Sequence, residues 1–407
     1  MVLAWRVVAS SPVASSPVEL TMIVPSDETD AWESAIAPFE DENSKIRIRL
    51  NSGADNLTPN QRFGNYESDL QNTVATYDLV LMDITWTAPF AEDLVDLGQL
   101  AKRDNVDLSD FLESEIEAGT YEQVLYRMPM YADVGILFYR KDLISKTLPS
   151  TLDDLAKTVA AIEDSSNVDA SYLWQGRQYE GLVVNFLEVL SSFGGYWIED
   201  GKVGLDTDEA KQAASVLRDL INRGISPDEV TTYNEQESLA IFNGDEDIKA
   251  QGAFLRGWPG FLPSLEKQED RIAIAAPFSF GAISANGCRG GWGLGIPKSS
   301  QHREEAWQAI KYLTSKSAQK EFALASSFLP TRRSLYDDQQ IVEEFPQIGN
   351  ILNYLEESNT FRPAVPKYER ASEILQQALS EILSSRSKSI EEAMNEAQVE
   401  TEKELRS

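Results

Sequence analysis

Histidine and cysteine are almost missing from these 407 residues, with His302 and Cys288 the only one of each. A single cysteine excludes an intramolecular disulfide, and so sparse a His and Cys supply excludes zinc sites built from them. A Ser-His-Asp triad would have to use His302, which sits in the polar stretch SSQHREEAW at a helix start. Cys288 reads as an inert thiol. Basic residues are scarce: 36 Lys and Arg face 66 Asp and Glu, a net charge of −30. Phosphate neutralisation needs clustered cations, so nucleic acid is not expected as a partner. No apolar run reaches the roughly 18 residues of a membrane span. Walker A, Rossmann glycine and calcium-loop patterns are absent, and the acidic NGDEDI at 243–248 lacks calcium spacing and reads as a solvated loop. No catalytic residue, metal site or cofactor is therefore expected.

What is present is ordinary globular composition, 42% hydrophobic and 25% charged, in a chain long enough for two domains. The start, MVLAWRVVASSPVASSPVEL, breaks a short apolar patch with Arg6 and continues as a Ser/Pro/Ala/Val segment. Residues 1–17 are expected to be a poorly ordered linker or trimmed signal remnant. VELTMIV (18–24) and KIRIRL (45–50) read as strands around a helix at 29–43, followed by a helix near 66–76 and a strand at 78–82. Strands alternating with helices suggest a mainly parallel sheet. The stretch 123–144, with Asp133 and Gly135 inside a long strand-like run, breaks this rhythm as a chain crossing between two domains would. Helices are expected at 150–163, 181–195 and 208–224, strands within 249–265 and at 272–278, and helices at 303–326, 369–384 and 389–406.

The segment LVLMDITWTAPFAEDLVDL (79–97) ends a buried strand in Asp83 and adds Trp86 three residues later. Glu28 and Asp133 likewise follow strand-like runs, and Trp174, Trp258 and Trp292 occupy loop or glycine-flanked places. Taken alone, each tryptophan is a core residue and each loop acid a turn or cap. Together they suit a sugar, whose C–H face stacks on aromatic rings and whose hydroxyls donate to carboxylates. Each such charged hydrogen bond contributes roughly 1.5–3 kcal/mol. Arg62 and Arg362 could donate to the same ligand or fix the acids.

Five segments, YDLVLMDITWTAPFA (77–91), MPMYADVGILFYRKDL (128–143), LWQGRQYEGLVVNFLEVL (173–190), GGWGLGIPKSS (290–300) and FRPAVPKYERASEIL (361–375), carry a resemblance. From about residue 18 to its end the chain resembles an extracellular solute-binding protein (family 1) of a sugar ABC transporter, of the trehalose/maltose-binding type. The resemblance implies an α/β, two-lobe periplasmic-binding-protein fold, type II-like, with ligand in the interlobe cleft. Expected lobes are 18–133 with 286–336, and 134–285 with 337–407. It implies that Glu28, Arg62, Asp83, Tyr131, Asp133, Trp258, Gly291, Trp292 and Arg362 touch the sugar, with Trp174 and Glu180 added from WQGRQYEG. Trp86 either covers the ligand or lies beneath it. NGCRGGW departs from the family's small-residue approach to Gly-Gly-Trp, leaving Cys288 and Arg289 without a role.

The expected function is capture of a disaccharide or related α-glucoside, such as trehalose, maltose, sucrose or glucosylglycerol, and its delivery to membrane permease subunits. The protein is expected to be a periplasmic or extracellular monomer, with membrane anchoring left open. Two alternatives use the same residues: a glycoside hydrolase, for which paired carboxylates are also the requirement, and a sugar receptor serving a signalling partner.

Overall fold

The computed structural model describes residues 16–52, 57–144, 147–166, 171–244, 252–265, 270–284, 287–384 and 388–406. Most of the N-terminal segment and of the NGDEDI stretch lie outside them. Val18–Ile23 pairs in parallel with Ile46–Asn51, across the amphipathic helix Thr29–Glu42, as their alternating apolar residues predict. The next helix departs from expectation. It runs Pro59–Leu70, not 66–76, because Thr58 and Gln61 form a reciprocal capping box with Pro59 in the first turn. That early start carries Arg62 on the helix rather than on a loop.

Two four-stranded sheets organise the rest. The first is ordered Leu329–Pro330, Met128–Val134, Arg289–Gly295, Val80–Asp83, and the second Ile272–Ala275, Ile136–Arg140, Phe254–Gly257, Tyr172–Leu173. The expectation of a mainly parallel sheet is corrected here. Within these two sheets only Phe254–Gly257 with Tyr172–Leu173 is parallel, and the other pairings are antiparallel. The physical reason is the crossing chain. Arg289–Gly295 returns from the second sheet against the direction of the strands it joins, and alternation alone does not report direction.

After a short strand at Val124–Leu125, the strand-like run 123–144 continues as Met128–Val134 and Ile136–Arg140, broken at Gly135, one in each four-stranded sheet. Gly135 donates its N–H to Cys288 O at 3.0 Å, so two crossing segments are tied together there. A third crosses beside them: Arg289 N–H donates to Thr360 O at 3.0 Å. Apolar residues Val134, Ile136 and Phe138 share one core with Leu329 and with the helices Gln339–Glu344 and Ile348–Glu357, which sequence reading missed. A second core joins the buried helix Glu180–Ser192 to Asp208–Asn222, Tyr368–Ser384 and Ile390–Leu405. The expected 303–326 helix is divided in two, because Ser315 caps a new start at Lys316. No helix among the described residues is long and apolar enough to cross a membrane.

Candidate functional site

Strand alternation assembles the first wall. Trp292 lies opposite both Asp83 and Tyr131, and Gly290 lies opposite Asp133. Residues two apart share a face, so Tyr131, Asp133, Gly290, Trp292 and Asp83 project from one side of three adjacent strands. Gly291, between them, sits at φ 152°, and a Cβ there would come within 2.9 Å of the buried Glu115 carboxylate. The glycine lets the strand lie directly on the Glu115–Arg127 ion pair, 2.9 Å long and almost wholly buried. Sequence reading missed that pair, whose members carry no motif.

Glu28 enters from the end of the first strand. Its carboxylate accepts from Trp32 Nε1 at 3.1 Å, one helical turn on, and from the Tyr131 hydroxyl at 3.0 Å. Burial is the main cause that pushes Glu28 up to about 7, against the lowering influence of Arg62. Asp133 is raised well above the usual carboxylate range, again chiefly by burial, with Glu115 and Glu28 adding to the effect and Arg256 opposing it. Its hydrogen bond is to the N–H of Val134, the next residue, at 3.0 Å. Glu28 and Asp133, both half-buried, thus keep acceptor capacity for a hydroxyl donor.

Arg62 lies with its guanidinium 4.1 Å from the Trp292 ring centroid, and the Trp86 ring meets Trp292 edge-on at 5.4 Å. Nε and Nη1 of Arg62 are buried and have no hydrogen-bond partner among the described residues. Such donors await an acceptor. Trp86 is buried among Phe63, Tyr66 and Phe90, so it backs Trp292 rather than offering a face of its own.

Arg362 joins the two halves. Nη2 meets Asp83 Oδ2 at 2.9 Å and Nη1 meets Glu180 Oε1 at 3.1 Å, with all three side chains buried. Thr85 fills the other Asp83 oxygen through its N–H at 2.9 Å and its hydroxyl at 2.7 Å. Glu180 is also held by the Tyr368 hydroxyl and by Ser372 Oγ at 2.6 Å. In this arrangement Asp83 and Glu180 serve Arg362 rather than standing open. Nearby, Asn60 donates to Glu369 at 3.0 Å, and burial pushes Glu369 up to about 8. Outside this contact a hollow of about 480 Å³ opens between Thr58–Gln61, Arg177–Tyr179 and the faces of Arg370, Glu373 and Gln377.

The second wall supplies Trp258. A Cβ on Gly290 would lie 3.2 Å from the Asp133 Cβ and 3.3 Å from the Trp258 ring, so glycine allows the indole to approach Asp133. Beneath it, Arg256 lies 4.0 Å from the Trp258 ring centroid. Trp174 is not brought to this place. It is fully buried in the core around the Glu180–Ser192 helix, and its indole N–H is spent on Ser226 Oγ at 3.0 Å.

The structure therefore gathers Glu28, Arg62, Tyr131, Asp133, Trp258, Gly291 and Trp292, with Asp83, Arg362 and Glu180 as a bridge beside them. Half-buried acceptors, unfilled guanidinium donors and an indole face suit recognition of a neutral polyhydroxyl molecule. Burial pushes the Cys288 thiol up to about 12, which disfavours the nucleophilic thiolate, and the residue lies in a crossing segment.

Residues 25–320 match the family described as bacterial extracellular solute-binding protein. A probable ABC transporter-binding protein of Deinococcus radiodurans is 29% identical over 344 residues, 80% of each chain. Maltose-bound T. maritima MalE3 superposes with a TM-score of 0.86 at 29% identity, over 94% of this chain and 99% of that one. The GacH receptor of Streptomyces glaucescens, solved unliganded and with acarbose, superposes at 0.83 with 20% identity over 96% and 99%, a likeness of fold alone. The architecture is the two-lobe α/β periplasmic-binding-protein fold.

Proposed function

The chain belongs to the bacterial extracellular solute-binding proteins, and on that premise we propose that it is the sugar-capturing component of an ABC importer. Its cargo is a disaccharide or related α-glucoside, with trehalose, maltose, sucrose and glucosylglycerol as the candidates. One observation carries the reading: Glu28 and Asp133 keep acceptor capacity, Arg62 over Trp292 keeps donors unfilled among the described residues, and the Trp258 indole lies close to Asp133 across Gly290. The likeness to a maltose-bound structure at 29% identity supports the sugar class.

The proposed lobes are 18–133 with 286–336, and 134–285 with 337–407, hinged where the chain crosses at Gly135 and Cys288. Closure around the sugar gives permease subunits a surface distinct from the open form, and the ligand favours closure only through contacts it makes there. The protein acts as a periplasmic or extracellular monomer, and the acids bind rather than hydrolyse.

Thermal unfolding with each candidate sugar tests this. A ligand at about 100 times its dissociation constant stabilises by about 2.7 kcal/mol. One candidate raising the melting temperature, with the sugar recovered intact, supports the reading. Cleavage of the sugar would replace it with the hydrolase reading.

A further inference from the structure

We infer that the buried Glu188–Arg256 pair is a positioning unit, tying the Trp258 indole to the crossing segments on which the lobes turn. The inference rests on Trp258 being a sugar platform. Arg256 is fully buried and lies with its guanidinium 4.0 Å below the Trp258 ring. Its Nη2 and Nε edge engages the Glu188 carboxylate, with distances of 2.6 to 3.2 Å, and Nη1 reaches Gln175 Oε1 at 3.4 Å. Gln175 also donates to the Arg256 carbonyl at 3.0 Å, fixing the strand end.

The same Glu188 carboxylate also faces the crossing. Oε1 accepts the Cys288 N–H at 2.9 Å, while Cys288 O accepts from Gly135 at 3.0 Å. A Cβ at Gly135 would collide with the Glu188 carboxylate and the Arg256 guanidinium. The crossing backbone therefore rests directly on the pair. One residue beyond Cys288 the chain enters the strand bearing Gly290 and Trp292, the first wall of the site.

Two desolvated charges are an expensive way to fill a core, since apolar side chains of equal volume often do as well or better. A guanidinium offers what they lack: a flat face for an indole and an edge of fixed donors for a carboxylate. Through it, a displacement of the crossing at Cys288 reaches Trp258 by three contacts. Cys288, without an assignment from sequence, contributes its backbone N–H to this path.

Two readouts test the inference in the full chain. In the first, tryptophan indole N–H resonances are recorded by NMR without ligand, the Trp258 signal being assigned by its loss in Trp258→Phe. Glu188→Gln should shift that signal, although Glu188 has no hydrogen bond to the indole. An unmoved signal in the folded variant overturns the inference. In the second, sugar dissociation is timed in wild type, Glu188→Gln and Arg256→Lys, the last keeping the charge but losing the flat face. Dissociation at least tenfold faster in both is expected. Wild-type rates in both folded variants would overturn the inference, and if one variant does not fold the other decides. No wild-type binding to any sugar, with the indole still shifted, would remove the sugar reading and leave the linkage standing.

Discussion

Arg362 carries the largest consequence at the scale of one residue. It neutralises Asp83 and Glu180 at once, and neither carboxylate has another cation within salt-bridge distance among the described residues. Removing one member of a buried ion pair costs roughly 3–5 kcal/mol, because the partner stays charged and dry. Arg362→Ala should therefore lose at least about 3 kcal/mol of stability in urea unfolding. A loss below about 1 kcal/mol, the range of exposed pairs, would show that the bridge is not held in solution. Glu28 sets a pH dependence. Its carboxyl is raised from 4.5 to about 7 in the ligand-free fold, so the protonated form is the stabilised one. That contribution is fully present below the unfolded value and is lost as pH rises through about 7. Glu115 and Glu369, raised to about 7 and about 8, act with the same sign. The ligand-free melting temperature should fall from about pH 5 to about pH 8, less steeply in Glu28→Gln. Sugar hydroxyls favour the ionised carboxylate, so affinity should move the opposite way, strengthening over that range.

Elements show what was legible in the sequence. Strict alternation placed Ile46–Asn51, an apolar run placed Val18–Ile23, and an amphipathic pattern ending at Gly224 placed Asp208–Asn222. Glu28, Asp133, Trp258 and Trp292 stood out because each ends or interrupts an apolar run or is set among glycines, whereas Tyr131 came only with the resemblance. The Pro59–Leu70 helix was misplaced because its capping box was overlooked and its apolar spacing is poor. Trp174 looked like a ligand residue because local sequence does not distinguish a buried indole satisfied by Ser226 from one facing a cleft. Glu188–Arg256, Glu115–Arg127 and the Asn60–Glu369 contact join residues far apart in sequence, and such pairings have no local signature. The capping box gives this scale its prediction. Thr58→Ala should cost about 1 kcal/mol, measured by denaturant unfolding. It should also weaken sugar binding, since Arg62 lies in the helix's first turn. Unchanged stability would mean that packing of Phe63 and Tyr66 alone holds the helix.

At the scale of the molecule, the −30 charge and the paucity of His and Cys excluded whole classes of chemistry without naming one. The two-lobe fold came from the order of long motifs, and the antiparallel direction of the crossing strands came only from the structure. The proposed function requires both walls for binding, the first supplying Glu28, Asp133 and Arg62 and the second Trp258. Titration calorimetry of the full chain with trehalose, maltose, sucrose, glucosylglycerol and glucose, repeated on Asp133→Ala and Trp258→Ala, tests this most directly. The account predicts one-to-one binding of a disaccharide-sized ligand at micromolar affinity or tighter, about −8 kcal/mol, lost in both variants. No heat with any of these sugars, or binding untouched by either substitution, would contradict it.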